Sequence, residues 1–324
     1  MYEMHYRKIT TVLIGTVVTF ALILMGSMNN NALGSTQQDN KQYSLIAIWG
    51  TEGTGDGEFA EPHGVAIDSS DNVYVVDTKN FRIQKLTSDG EFITQWGTEG
   101  TGNGEFQKPH SIAVDSSNYI YITDEDNKNV QKYTSDGEFV TQWGFEAAGG
   151  ETGEPHGIEI DSSGNVYVAI RDNSKILKYT GDGKFIKQWG SMGTGDGEFD
   201  RTHGIAIDSE DNVYLSDMGN FRIQKFDSDG NFITKWGTPG AGDGQFNSTP
   251  DLAVDSLDNV YVVERLNYRV QVFDSNGNFI TKWGSEGTGE GQFDIPEGID
   301  VDSSGNVYVA DTHNSRIQKF AVVE

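Results

Sequence analysis

Residues 50–97 read GTEGTGDGEFAEPHGVAIDSSDNVYVVDTKNFRIQKLTSDGEFITQWG, and this stretch decides the fold. It holds four strand signals. Gly64–Asp68 is short and apolar, and Asn72–Val76 follows across a Ser-Ser-Asp turn. Arg82–Leu86 alternates polar and apolar side chains, and Phe92–Trp96 follows an Asp89-Gly90 turn. Alternation with β-branched residues marks strands, and Asp-Gly between two of them marks a hairpin. The six tryptophans, Trp49, Trp96, Trp143, Trp189, Trp236 and Trp283, are each followed by glycine and lie 47, 47, 46, 47 and 47 residues apart. So regular a period is a repeat architecture. Four antiparallel strands repeated six times over residues 43–324 predict an all-β, six-bladed β-propeller. The sixth copy ends at Arg316–Glu324, after its third strand, whereas residues 43–50 (YSLIAIWG) have the form of an orphan fourth strand. The ring is therefore expected to close through this N-terminal strand, which completes the last blade.

Working outward, residues 1–42 differ from the repeats. Arg7 and Lys8 precede an uncharged run from Thr10 to Gly26. This is the pattern of a secretory signal peptide, or of a signal anchor if it is retained, over residues 1–28. A polar linker over 29–42 follows, and the propeller occupies 43–324. The bulk of the chain is then expected outside the cytoplasm, extracellular or in the cell envelope, with membrane contact only through the N-terminal segment. Asn247-Ser248-Thr249 is one glycosylation sequon.

The 324-residue chain has no cysteine and a formal net charge of −26. Disulfides and thiolate zinc sites are excluded. The acidity argues against a nucleic-acid partner, since phosphate contacts need excess Lys and Arg. A protein or small-molecule ligand is the expected partner, and the chain is expected to be a monomer.

Most recurrent residues have structural readings. The tryptophans are expected to pack between blades. The sets Asp77/Asn80/Arg82, Asp217/Asn220/Arg222 and Asp311/Asn314/Arg316 read as a network bracing the turn between the second and third strands. The glycine-rich loops Gly53–Phe59, Gly100–Phe106 and Gly193–Phe199 lack the phosphate-cradling lysine and the following helix; their acids leave calcium as one option.

One repeat position carries chemistry. Just before the innermost strand the six blades hold His63, His110, His156, His203, Pro250 and Glu297. Innermost strands line the axial channel, so these positions form a ring around the axis. Four imidazoles and a carboxylate there suit a divalent metal, zinc foremost. Blades 2, 4 and 6 supply His110, His203 and Glu297, two imidazoles and a carboxylate on a threefold; His63 and His156 are further ligands or acid–base groups.

The pattern G-x-F-x-x-P-x-G-I-A-V-D, N-V-Y-V-x-D-x-x-N-x-R-I-Q-K-F and D-G-x-F-I-T-x-W-G resembles the NHL repeat over the whole chain after residue 42. The resemblance implies a six-bladed propeller, with relatives that include RNA-binding tripartite-motif proteins, sensor-kinase ectodomains and peptidyl-α-hydroxyglycine α-amidating lyase. That lyase implies zinc held by three Pro-His histidines on alternate blades. Here the alternating sets are His63 and His156, broken by Pro250, and His110 and His203, completed by Glu297. It also implies a catalytic arginine in a string similar to Val168–Asn173, which singles out Arg171, with Arg265 at the same repeat position. Two readings result: an interaction module for a protein or small ligand, and a metal-dependent lyase or hydrolase working in the channel mouth.

Overall fold

The computed structural model describes residues 42–145 and 153–323. The expected signal or anchor, and the linker up to residue 41, lie outside these residues. Among the described residues no helix is long and apolar enough to cross a membrane.

The described chain is all-β, with six four-stranded antiparallel blades. In blade 1 the strands are Pro62–Ile67, Val73–Asp77, Arg82–Leu86 and Phe92–Trp96, from the axis outward. The last two match their expected bounds. The first begins two residues earlier than the apolar pattern indicated, because Pro62 already pairs with Asp77. The second strand, VYVVD, is buried throughout. Such double-sided burial comes from packing blade on blade: one core cluster joins Tyr74, Val76 and Ile83 of blade 1 to Ile112, Ile120 and Tyr133 of blade 2. Within the glycine-rich loops lie short parallel pairs that the sequence pattern did not signal, such as Thr98–Glu99 with Glu105–Phe106.

The tryptophans sit between blades, as their period predicted. Each lies on an outermost strand, and five of the six lie under the hairpin glycine of the following blade. A Cβ at Gly90 would stand 2.3 Å from the Trp49 ring, and one at Gly137 2.6 Å from Trp96. Both glycines also take φ near +80°, where a side chain is strained.

Closure follows the expected route. Gln42–Trp49 pairs antiparallel with Arg316–Val323 and forms the outer edge of blade 6. That blade has no hairpin glycine to cover Trp283. Tyr43 takes the place, stacking on the indole with 4.3 Å between ring centroids, and its hydroxyl meets that of Tyr261 at 2.7 Å.

The Asp-Asn-Arg network braces the turn between the second and third strands, as read. Asp77 is fully buried and accepts from Arg82 Nε at 2.7 Å, from Asn80 Nδ2 and from the Ala60 N–H. Arg82 also donates to the carbonyls of Thr54, Gly55 and Glu58, pinning the glycine-rich loop. The loop's own acid, Glu58, turns back to accept the Gly55 N–H.

Candidate functional site in the axial mouth

The innermost strands carry a device that aims the ring residues. Pro62 pairs with Asp77 and Val65 with Val75, so His63 and Gly64 together face the single residue Val76. This is a β-bulge, which bends the strand and re-aims its side chains. The same bulge holds His110, His156, His203 and Glu297. The ring residues thus lie inside the innermost strand rather than just before it. Glycine follows four of the five because the next blade runs close by: a Cβ at Gly157 would stand 2.3 Å from the His203 carbonyl oxygen. Blade 5 has no such bulge, as its innermost strand is only Leu252–Val254.

The imidazoles converge. Ring centroids are 4.9 Å apart for His63–His110, 4.5 Å for His110–His156 and 4.2 Å for His156–His203. One ligand atom each of His110, His156 and His203 fit within 4.8 Å of one another. Among the described residues the metal-competent set made of ring residues therefore comes from the consecutive blades 2, 3 and 4, and a second set joins Glu125 and Glu154 to His156. The threefold set of His110, His203 and Glu297 is not the one whose ligand atoms gather. Glu297 is instead bound by Arg265, which reaches over the sector that Pro250 leaves without a polar side chain. His63 lines the same mouth but stands outside the three-imidazole group.

Burial holds every ring histidine neutral. Desolvation lowers His63 to about 3, with the Arg265 charge adding to it. Desolvation also pushes His110, His156 and His203 well below the usual imidazole range. Neutral imidazole is the form that binds a metal. His203 Nδ1 lies 2.6 Å from the Pro250 carbonyl oxygen, which fixes the proton on Nδ1 and leaves Nε2 as the acceptor.

Glu125 is the functional residue that the sequence reading passed over. It is 1% exposed, and its Oε1 lies 3.3 Å from His110 Nε2 and 3.5 Å from His156 Nε2. Burial raises its pKa, against the pull of the Lys108 ammonium that it pairs with. Its signal was in the repeat. Glu125 occupies the column that follows the second strand, beside Thr78, Arg171, Met218, Arg265 and Thr312. In blades 1 and 6 the threonine hydroxyl there donates to a backbone carbonyl of the next blade. In blades 2, 3 and 5 the column holds a charge, and all three charges enter the mouth. Arg171 Nη1 reaches His156 Nε2 at 3.1 Å and Glu154 at 3.5 Å. Both arginines singled out from the sequence thus stand at the ring.

Together these groups wall a basin of about 310 Å³. Lys108, Arg171, Arg201 and Arg265 line it beside the carboxylates of Glu125 and Glu297. With neutral histidines it is a positive basin in a chain of formal charge −26, and its sign favours an anionic ligand.

Beyond the ring the channel widens into a cavity of about 210 Å³ bordered by Glu159, Asp251 and Asp300. Desolvation pushes Glu159 and Asp251 up to about 8 and Asp300 up to about 7. A carboxyl whose folded pKa is raised contributes stability below its unfolded pKa and loses it as pH rises through the folded value. Glu159→Gln keeps an acceptor for the Ile160 N–H and removes that alkaline loss. Unfolding free energies from urea titration should match the parent near pH 4 and exceed it at pH 9 by about 5 kcal/mol at most. Equal midpoints at pH 9 would contradict the burial argument.

Comparisons with known proteins agree with this architecture. The NHL repeat family matches residues 59–86 and 293–320, and a 6-bladed beta-propeller family matches 83–148 and 150–235. The chain is a six-bladed β-propeller built of NHL repeats. Over 50 residues, 15% of its length, it is 42% identical to Protein lin-41 of Caenorhabditis elegans, of which that stretch is only 4%. Among solved structures, an auxiliary nutrient binding protein of Bacteroides thetaiotaomicron superposes with a TM-score of 0.65 at 16% identity, over 88% of this chain and 77% of that one. Virginiamycin B lyase from Staphylococcus aureus superposes with a TM-score of 0.59 at 16% identity, over 87% of this chain and 99% of that one. At these identities the likeness is one of fold.

Proposed function

We propose that this chain is an extracytoplasmic propeller that holds a divalent metal of the zinc type in its axial mouth and acts there on a small anionic substrate, as a lyase or hydrolase. One observation carries the reading: three neutral imidazoles gather their ligand atoms within 4.8 Å, and Glu125 stands 3.3 and 3.5 Å from two of them. Two ligands on one tetrahedral zinc, each at ~2.1 Å, lie about 3.4 Å apart. His110, His156 and His203 would hold the ion, with Glu125 beside it. A metal so bound supplies Lewis acidity and lowers the pKa of a coordinated water. The chain's own groups do the rest. Arg171 and Arg265 orient an anionic group across the basin. Glu125, raised by burial, is placed to accept a proton, and His63 is a second neutral base on the same wall.

The same basin without bond-breaking chemistry is a ligand-binding site, a reading supported by its positive lining and by the nutrient-binding protein that shares the fold. Elemental analysis of the purified full chain, prepared without tag histidines, separates the two. About one zinc, manganese, iron or copper per chain, lost in His110→Ala/His203→Ala, is the expected result. A parent protein that holds no metal after incubation with divalent cations overturns the enzyme reading and leaves the binding module.

A further inference from the structure

The four cations of the basin differ in how their charge is met. Lys108 pairs with Glu125, and Arg265 with Glu297. Arg171 reaches Glu154 at 3.5 Å and His156 Nε2 at 3.1 Å. Arg201 is met by none of these carboxylates. Among the described residues its one ion pair is with Asp200, its neighbour in sequence, at 3.6 Å, and the two side chains are 56% and 47% exposed. A pair so open to water is worth little. Asp200 does not line the basin. Its carboxylate lies over the turn at Gly219, where a Cβ would stand 2.4 Å from it. Three cations are thus neutralised by three carboxylates, and Arg201 leaves one positive charge over.

Blade 4 also supplies the apolar part of the wall. The column after the second strand holds Thr78, Glu125, Arg171, Arg265 and Thr312 in the other blades, and Met218 here. Among the described residues that line the basin, Met218 is the one with an apolar side chain. Next to it stands Gly219, where blades 1, 2, 3 and 6 have Lys79, Asp126, Asp172 and His313. Blade 4 therefore adds no further charge in that column.

One surplus positive charge fits one negative charge. A second would face Glu125 and Glu297, which line the same basin, and like charges repel. A planar guanidinium matches a carboxylate through two parallel hydrogen bonds. Arg171 and Arg265 flank it as orienting groups: Arg265 Nε is buried with no hydrogen-bond partner, although the charge of that side chain is already met.

We propose that Arg201 selects the ligand of the basin by its charge, and that this ligand is a small monocarboxylate whose apolar substituent lies against Met218. The inference rests on the reading of the basin as the site of a small anion, and it holds with or without a metal on the imidazoles.

The test is calorimetric titration of the full chain at fixed ionic strength, once stripped of metal and dialysed, once loaded with zinc. The probes are phenylacetate, acetate, phenylacetamide and phenyl phosphate. The metal-free chain is expected to bind phenylacetate at least about tenfold more tightly than any of the other three. Arg201→Asn should weaken phenylacetate at least about tenfold and bring it level with phenylacetamide, and Arg201→Lys should recover part of the loss. Arg201 is exposed and holds φ +56°, a conformation that asparagine accepts, so the variant should melt with the parent. Met218→Ser should narrow the gap between phenylacetate and acetate and leave acetate unchanged. Phenylacetate that binds equally well to a parent holding no metal supports the inference while removing the metal reading. The inference is overturned if phenylacetate does not bind, if phenylacetamide binds as tightly, or if phenyl phosphate binds more tightly. It is overturned too, with the anion reading of the basin left standing, if Arg265→Gln loses phenylacetate and Arg201→Asn does not, or if binding requires zinc and ignores Arg201→Asn.

Discussion

A chain that starts at Gly50 does not form a closed, stable propeller. The missing Gln42–Trp49 is the outer strand of blade 6, and its loss strips one edge of the strand Arg316–Val323 of its partner from Ile317 to Val323. Tyr43 would no longer cover Trp283 or meet Tyr261, and Leu45 would leave the cluster that holds Val263, Phe293 and Phe320. Trp49 would no longer lie under Gly90 at the junction of blades 6 and 1. Each large apolar side chain removed from such an environment costs roughly 2–5 kcal/mol. Three of them, with a strand's worth of backbone pairing, match or exceed the whole stability of an ordinary domain, about 5–15 kcal/mol. The expected result is loss of the cooperative urea transition, with aggregation through the newly bared edge. Tyr43→Ala alone should lower the transition by ~3 kcal/mol. A truncated chain with the parent's midpoint would mean that the ring closes by other contacts.

The reason this closure was legible in the sequence, while the site was only partly so, lies in what each depends on. Blade number and closure follow from pattern: six Trp-Gly pairs at near-constant spacing, and a final copy one strand short. Such periodicity survives any local adjustment of side chains. The ring of His63, His110, His156, His203 and Glu297 was legible for the same reason, as one repeat column. Which members come together was not. That depends on how far each bulge turns its side chain and on what stands in the neighbouring sector. Glu297 is drawn to Arg265, whereas His110 and His156 turn to Glu125. Glu125 itself was readable in principle, because threonine gives way to charge in its column in three blades. A single repeat hides this, since Asp124-Glu125-Asp126 looks like an ordinary acidic turn.

His156 is the residue whose loss should affect metal binding most. It belongs to both groups of side chains that can share a cation, one with His110 and His203 and the other with Glu125 and Glu154. Its Nε2 also lies 3.1 Å from Arg171 Nη1, so it joins the cationic wall of the basin to the imidazole cluster. His156→Ala should weaken zinc affinity by at least about 100-fold in a chelator competition, because each group loses a ligand. His63→Ala should leave the affinity within about threefold of the parent, since His63 lies outside both groups. Stability separates this effect from misfolding. His156 Nδ1 is buried without a hydrogen-bond partner, and an unmet donor of that kind costs ~1–3 kcal/mol, enough to offset much of the packing lost on truncation. Without metal, His156→Ala should therefore melt within a few degrees of the parent. Zinc should raise the parent's Tm, and the variant's hardly at all, by the mass action of a ligand that binds only the folded state. If His63→Ala loses zinc as completely as His156→Ala, the ion is shared around the whole ring and the three-blade assignment fails. If neither variant changes zinc affinity, the metal lies elsewhere and the ring is left with its burial and its basin.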